Sequence, residues 1–596
     1  MNDLAFGVAS PVRVENDAAR RLAAPLRALA PGHALCIGSV SFLAQEAYRY
    51  AGPTLYVWRL ANLIYVVPTA TAGGVDLLSV LRHTVWRHAC DSAWPVAADR
   101  APAVMQRFAL DSPLQAALVC ALAQRALAAG GGAPAGWWYL DLERGPACAA
   151  PPTLPLAVAP ARDHSPLRHH ALDTIGPAVM ALATHPGVGL LGRPTSDLDA
   201  PVPSCSATLR LAGVPDIITL GRAANARQAA AVACLEAIER HAGLTAPNGA
   251  RTWEASFADL DVPKLDPRHC GLHLADSYAA PDFPYVPFHE DLVLDWVYGQ
   301  ELGSGRDIAL PASLAYYGAS ATVPRVRLAY ETSNGCAVGT SFEEASLHGL
   351  LELVERDAFL MAWYRRTPLP DITRQLSRHP AIHRTLRHLA LLTGGSVRIL
   401  DSTLEAGIPS VICCFTGASL PSQVLSAGAS LSHADAARAA LAELSGHWLF
   451  LRQRFDDPDV RRHARALHEG DAEVVSMEDH GYANALPESR ARMAFLLQGG
   501  DAAEDPRYAP GFGPPSDSVR ASLAWLLERL AGASLWPIAV PQHTAQLRQA
   551  GLHCVKVVCP GLLPMTFGHR NRRLASARLD AATQRRAASL PPHPFM

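Results

Sequence analysis

The chain has 596 residues, 49% of them apolar and 18% charged, with a formal net charge of −2. That balance describes two to four globular domains and excludes an intrinsically disordered polypeptide. The near-zero charge supplies no bulk field for nucleic acid or an anionic membrane, and Arg, Asp, Gly or Pro interrupts every apolar run before it reaches membrane-spanning length.

The start, Met1-Asn2-Asp3, lacks the charged and apolar stretches of a secretory signal, and the twelve cysteines form no C-x-x-C pair. These features set the expectation of a cytoplasmic protein with reduced thiols and no structural zinc site. The only lysines are Lys264 and Lys556, and no G-x-x-x-x-G-K-[ST] loop occurs. Arginine must therefore carry any phosphate contact.

In chain order, residues 1–145 alternate strand-like and helical runs. Leu55-Tyr56-Val57-Trp58 and Ile64-Tyr65-Val66-Val67 predict paired strands around a short turn, and Val75 to His88 has helical spacing. Gly130-Gly131-Gly132 and the Pro- and Ala-rich stretch that follows predict a linker over 146–181. A large mixed α/β (α+β) region then runs over 182–596, with helices packed on β-sheet. Within it Pro506 to Pro515 predicts an exposed loop.

Two segments of this region share the pattern Glu-x-x-Glu-Arg: Glu236, Glu239 and Arg240, then Glu352, Glu355 and Arg356. Residues three apart share a helix face, so each motif points two carboxylates one way. Ala229 to Ala233 and Phe359 to Trp363 flank them, which predicts buried helices. Carboxylates there must be paired or bound to a cation, and acids beside arginines suit Mg2+ and nucleotide phosphate. A common solvated helix face has the same pattern; its repetition favours a site. Each motif follows a strand and a small-residue turn, which hints at internal pseudo-symmetry. Ahead of the second lies Thr332 to Gly339, whose Asn334 and two glycines could face an anion. Glu344 fits two roles: a capping box with Ser341, or the acidic face it shares with Glu352 eight residues later. Ahead of the first, Leu220-Gly221-Arg222-Ala223 makes a weaker turn in which Arg222 is either a phosphate ligand or a solvated loop residue.

Thr332 to Asp357, "TSNGCAVGTSFEEASLHGLLELVERD", resembles the signature segment of the YcaO family. Gly221 to Arg240 resembles that family's earlier nucleotide-site helix. Gly428 to Glu443, "GASLSHADAARAALAE", resembles its small-residue turn and next helix, and Cys554 to Arg573, "CVKVVCPGLLPMTFGHRNRR", its late strand and arginine cluster. Four segments in order, from about Leu182 to Met596, make the resemblance specific.

The resemblance implies an ATP- and Mg2+-dependent enzyme acting on backbone amides of peptides. Glu236, Glu239, Glu344, Glu352 and Glu355 would hold Mg2+ under the triphosphate. Arg222, Glu236, Asn334, Arg240, Arg356 and one of Arg570, Arg572 or Arg573 would line the ATP site, with Arg573 the leading choice. Relatives usually read Gly-Lys-Gly where this chain has Gly221-Arg222-Ala223, and carry a small or hydroxyl residue at the position of Val232.

The ending Pro591-Pro592-His593-Pro594-Phe595-Met596 predicts an extended strand able to enter a cleft, or else a frayed terminus. It is similar to the proline-rich end of azoline-forming members, which places Pro594, Met596 and Arg570 among the catalytic candidates and leaves His569, His593 and the Met596 carboxylate as possible bases or acids. The implied reaction is cyclodehydration of Cys, Ser or Thr to thiazoline or oxazoline. Thioamide formation and a non-catalytic peptide-binding scaffold are the alternatives. Expected partners are a ribosomal precursor peptide with its leader, an E1-like leader-binding protein, a separate flavin dehydrogenase and a second copy of the chain. By analogy with fused cyclodehydratases, residues 1–145 resemble a leader-handling module. Leu77 to Ala89 is similar to a helix of E1-like partners that here lacks their zinc-binding cysteines, and a strand edge near Tyr56 or Tyr65 would accept the leader.

Overall fold

β-Branched and aromatic runs set the N-terminal sheet. In the computed structural model, strands β1 (Val12–Val14), β2 (Ala34–Gly38), β3 (Thr54–Leu60), β4 (Leu63–Thr69), β5 (Trp138–Asp141) and β6 (Gly145–Cys148) lie side by side in chain order. The first three are parallel and the others antiparallel. Helix α1 (Asp17–Leu29) crosses between β1 and β2 and buries Ala19, Leu22 and Leu26. The structure describes these elements, residues 119–121 and 123–124, and residues 163–596 apart from 185–190, 198, 210–215, 245–251, 318–325, 510–511, 514–516, 543–546 and 548–550.

β3 and β4 pair antiparallel through a tight turn, from Thr54 opposite Thr69 to Leu60 opposite Leu63. Tyr56 lies buried in β3, which has β2 and β4 as neighbours, while β4 has β3 and β5. The expected leader-binding edge near Tyr56 or Tyr65 is therefore corrected: both strands are interior, and among the described residues the edges of this sheet are β1 and β6. The helix expected from Val75 to His88, the segment Leu77 to Ala89 and the Gly130 to Gly132 run lie outside the described residues.

The interval read as a linker is structured where described. It contains the end of β6 and the start of helix α2 (Leu172–Ala183), and Asp163 to His169 folds against the core. Beyond it come β7 (Thr195–Asp197), β8 (Ser204–Leu209), β9 (Ile217–Arg222) and α3 (Ala226–Leu244). Strands β10 (Trp253–Ser256), β11 (Val293–Glu301), β12 (Asp307–Pro311) and β13 (Cys336–Gly339) lead to α4 (Phe342–Arg365). Numbering helices of eight or more residues, α5 (Pro380–Thr393), β14 (Ser396–Asp401), β15 (Ser410–Thr416), β16 (Gln423–Ala429) and α6 (His433–Arg454) follow. The chain ends with α7 (Pro458–Glu469), α8 (Met477–Asn484), α9 (Val519–Gly532), β17 (Ile538–Pro541), β18 (His553–Val558) and α10 (Ala581–Ser589).

Three further sheets form: β7-β8-β9, β14-β15-β16, and the path β10-β11-β17-β18-β13 with β12 beside β11. Helix α4 lies between two of them, touching β13 and β18 as well as β15 and β16. Its apolar residues accordingly surround it rather than forming one stripe, as burial on several sides requires. Among the described residues no helix is long and apolar enough to cross a membrane.

The helices α3, α4 and α6 each follow a strand whose end carries a glycine: Gly221, Gly339 and Gly428. A Cβ at these positions would come closer than 3.0 Å to the backbone of Ala229, Ala345 and Ala436 respectively. Glycine thus lets each helix press onto its own strand. The β9–α3 and β16–α6 units match further. Thr219 donates to Ala233 O at 2.9 Å and Ser426 to Ala440 O at 2.7 Å, each hydroxyl two residues before its glycine. The pseudo-symmetry hinted at by the two glutamate motifs thus extends to a third strand–turn–helix unit. The Pro506 to Pro515 stretch is exposed where described, as expected, except for Tyr508, which is buried and whose hydroxyl donates to Asp401 at 2.7 Å.

Candidate active site

Glu236 and Glu352, the first acids of the two motifs, are held in the same way. One oxygen of Glu236 accepts from the Leu220 N–H at 2.9 Å and the other pairs with Arg240 at 3.0 Å. One oxygen of Glu352 accepts from the Gly335 N–H at 3.0 Å and the other faces Arg356 at 3.5 Å. A strand or turn preceding each helix thus supplies one donor, and the arginine one turn later supplies the second.

The second acids, Glu239 and Glu355, are less compensated. Burial pushes the Glu239 carboxyl up to about 8; Arg240 opposes the shift, and Glu352 and Glu236 add to it. Burial likewise drives Glu355 well above the carboxylate range, against Arg356 and with Glu443 and Glu352 reinforcing. Glu443 on α6 is also raised, by burial first and then by Glu352 and Glu236, while Arg356 and Arg222 oppose. Three helices therefore bring five glutamates within one another's fields, with Glu352 acting on all three raised groups.

Glu443 was not singled out from sequence. It closes the Gly428 to Glu443 segment, fifteen residues after its glycine, as Glu236 is fifteen after Gly221. That shared spacing was the available signal.

Among the cations, Arg240 is engaged by Glu236 and Glu239, which raise its pKa although burial opposes this. Arg356 contacts Glu352 and Glu355 and stacks over the Phe595 ring at 4.3 Å. Arg222 differs: among the described residues no carboxylate lies within ion-pair distance of it. Its guanidinium rests against Gly446 of α6, close enough to act on Glu443 and His447.

Glu344 is not brought into this group. Its carboxylate accepts from Thr340 Oγ1 at 2.6 Å and from the His169 N–H at 3.4 Å, faces Arg168 at 3.6 Å and is 1% exposed. Ser341 caps α4 by accepting from the Glu344 N–H at 3.0 Å. The structure shows Ser341 as the N-cap, while the Glu344 carboxylate turns to Thr340 and His169 and does not close the capping box on the Ser341 N–H. The segment before α2 reinforces that turn: Asp163 meets His169 Nδ1 at 2.6 Å, and His169 Nε2 meets Ser341 Oγ at 2.9 Å.

The late arginines also turn elsewhere. Arg573, the expected phosphate contact, donates to the carbonyls of Gly271, Cys270 and Tyr330 and pairs with Glu331, which Lys556 meets at 2.8 Å. Arg570 reaches the Pro281 and Asp282 carbonyls at the surface, and Arg572 donates to His569, Ala587 and Ala588 carbonyls near the end of α10. Backbone carbonyls left over by loops and helix ends claim these guanidinium groups. Asn334 is 5% exposed and donates to Met565 O at 2.5 Å. Asn334 and Arg573 nevertheless line one small, half-open pocket with Glu331, Leu353 and Lys556, and Lys556 acts on the Glu239 carboxyl.

The C-terminal segment does enter the fold. His593, Phe595 and Met596 are 2%, 0% and 7% exposed. Phe595 packs edge-on to Phe359 of α4, with centroids 5.0 Å apart, beneath Arg356. Met596 lies against Gly481 of α8, and Asn484 donates to Pro592 O at 3.1 Å. His593 stacks on His480 at 4.0 Å, and the His480 ring lies 2.8 Å from His593 O. Pro594 is buried with them. Of the tail, Phe595, which was not singled out, has the direct link to the glutamates through Arg356.

The residues fit a divalent cation in charge but do not yet form its cage. Among the described residues no three carboxylate, imidazole or thiol groups make a ready metal-ligand set. Raised carboxyl groups around Glu352 are what buried acids show without a cation, since burial first and neighbouring like charges after it disfavour ionisation.

The family profile described as YcaO cyclodehydratase, ATP- and Mg2+-binding, matches residues 220–563. An uncharacterized protein of Methanothermobacter thermautotrophicus is 28% identical over 198 residues, 33% of this chain and 46% of that protein. This chain thus spans less than half of that relative's length. A heterocyclase solved in complex with substrate and cofactor shares 18% identity and a TM-score of 0.64, over 93% of this chain and 81% of that one. The heterocyclase TruD shares 18% identity and a TM-score of 0.55, over 95% and 81%. At that identity the two structures show a common fold. The profile match, spanning more than half of the chain and all three glutamate-bearing helices, shows that the chain belongs to the YcaO family.

Proposed function

We propose that this chain is an ATP- and Mg2+-dependent peptide cyclodehydratase. The observation that carries the proposal is the convergence of Glu236, Glu239, Glu352, Glu355 and Glu443 from three helices beside a cation, Arg222, that among the described residues no carboxylate pairs with. These five acids would hold Mg2+, which when bound neutralises the triphosphate and orients it. Leu220 N–H, Gly335 N–H, Arg240 and Arg356 keep the carboxylates aimed. Arg222 supplies positive charge for phosphate oxygens.

In the reaction a Cys, Ser or Thr side chain of the peptide attacks the preceding amide carbonyl. That attack closes the ring with loss of the side-chain proton; the oxyanion takes the γ-phosphoryl group of ATP, releasing ADP, and phosphate leaves with the amide oxygen as the amide nitrogen loses its proton and the C=N bond forms. The protein need supply no nucleophile, only position and charge. The ordered C-terminal segment, anchored by Phe595 under Arg356, supports this reading over thioamide formation. A leader-bearing precursor, a leader-binding partner, an oxidising flavin enzyme, a homodimer and a cytoplasmic location complete the proposal, with residues 1–145 as the leader-handling domain.

The test is incubation with ATP, Mg2+ and a Cys/Ser/Thr-rich precursor from a neighbouring reading frame, followed by mass spectrometry. The proposal requires loss of one water per modified residue, matched by phosphate release. Exchange of oxygen for sulfur would favour thioamide formation, and no change in mass with any partner present would overturn the catalytic proposal.

A further inference from the structure

Helix α6 carries a gap on the face it turns towards the glutamates. Fifteen residues after the strand-end glycine, α3 places Glu236 and α6 places Glu443; eighteen residues after it, α3 places Glu239 but α6 places Gly446. The matching step in α6 therefore lacks a side chain. Arg222, the last residue of β9, fills that space. A Cβ at 446 would stand 2.7 Å from Arg222 Cζ and 2.5 Å from Nη2, and closer still to Nε.

The groups facing the guanidinium explain why its position matters. Glu443, one turn before Gly446, is drawn back towards ionisation by Arg222, and His447, whose Nε2 lies 3.8 Å from Glu443, is pushed by Arg222 to the neutral form after burial has acted first. An arginine laid through the gap of Gly446 thus acts on the acid of α6, whereas Arg240 is occupied by the glutamates of its own helix α3. Glycine in a helix interior costs stability relative to alanine, so the fold gives no reason for it here. The gap serves the guanidinium.

We infer that Gly446 is a positioning residue: it sets where the Arg222 guanidinium stands, and through it the contact with nucleotide phosphate. This rests on the function proposed above. The obstructing atoms are the far end of a flexible side chain, so a methyl group at 446 moves the guanidinium without breaking the helix.

The test compares the full-length wild type with Gly446→Ala, Arg222→Ala and the double variant, by calorimetric titration with Mg2+-ATP and by thermal melts without ligand. The expected result for Gly446→Ala is an intact fold with at least about tenfold weaker Mg2+-ATP binding, the scale of one charge-assisted hydrogen bond. Arg222→Ala should lose a similar factor, and the double variant should bind no worse than Arg222→Ala, because both changes remove one contact. Wild-type affinity in Gly446→Ala, or losses that multiply in the double variant, would overturn the inference. The melts give a readout independent of nucleotide. Gly446→Ala should raise the melting temperature more in the Arg222→Ala background than in the wild type; equal shifts would show that the two residues do not compete for space. Absence of Mg2+-ATP binding by the wild type would instead strike the proposed function, leaving the melts to decide the packing.

Discussion

Glutamine in place of Glu239 should make the ligand-free protein more stable and a poorer host for Mg2+-ATP. Burial, with Glu352 and Glu236 adding to it, lifts the Glu239 carboxyl from its ordinary 4.5 to about 8. At pH 7 the folded chain holds a proton that the unfolded chain has released. Taking it up costs about 1.4 kcal/mol per pH unit above the unfolded value, or at most about 3.5 kcal/mol at pH 7. Relaxation and water penetration reduce this, so about 1–2 kcal/mol is the stabilisation expected of Glu239→Gln. That corresponds to a rise in melting temperature of roughly 1–3 °C for a region this large. The sign of the pH dependence follows. Between pH 4.5 and about 8 the folded state binds more protons than the unfolded one, so wild-type stability falls as pH rises through that window and the variant loses this component. Cation binding, in contrast, needs the ionised form, and Glu239→Gln should weaken Mg2+-ATP by at least the tenfold to hundredfold that even outer partners of metal ligands contribute (order of magnitude). Melts across this pH range in metal-free buffer, paired with calorimetry, measure both. A variant less stable than wild type, or one that binds Mg2+-ATP equally well, would refute the placing of Glu239 in an uncompensated acidic cluster.

Three further outcomes are expected. Glu344→Gln should cost about 2–3 kcal/mol, because it strands the largely buried Arg168, yet leave Mg2+-ATP affinity close to wild type; a selective loss of affinity would restore Glu344 as a ligand. Phe595→Ala should cost about 3–5 kcal/mol by opening a core cavity, and should weaken nucleotide binding by freeing Arg356, both measurable in one titration series. Acid should loosen the tail: burial holds His480 at about 4 and His593 well below its ordinary 6.5, so the unfolded chain binds more protons as pH drops below 6.5. Stability should then fall by about 2 kcal/mol per histidine between pH 7 and pH 5, and His593→Gln should flatten that slope in pH-dependent melts.

The glutamate motifs were legible because helical period alone puts Glu236 with Glu239 and Glu352 with Glu355, and their apolar flanks foretold burial. Mixed α/β architecture and the β3–β4 hairpin were legible for the same local reason. What a side chain meets across the fold was not. Arg570, Arg572 and Arg573 form a cluster in sequence, but three sets of unpaired carbonyls draw them apart. Asn334 turns its amide to Met565, more than two hundred residues away. Glu443 has no acidic partner three residues on, only Gly446, so it lacks the two-carboxylate pattern that marks the other helices. Glu344 sits where both roles were readable, yet its carboxylate is engaged by Thr340 and by Arg168 and His169, which approach from a stretch read as linker. The strand order that makes β3 and β4 interior is likewise a property of the sheet, invisible in either strand.

Calorimetric titration of ATP into the full-length protein, with and without Mg2+, repeated on a Glu236→Gln/Glu352→Gln variant, tests the central claim most directly. Those two acids are the ones fixed by backbone N–H groups and arginines, and Glu352 bears on every raised carboxyl in the cluster. Binding that requires Mg2+ in the wild type and disappears in a folded variant is the predicted result. Nucleotide binding that ignores Mg2+, or that survives loss of both carboxylates, would contradict it.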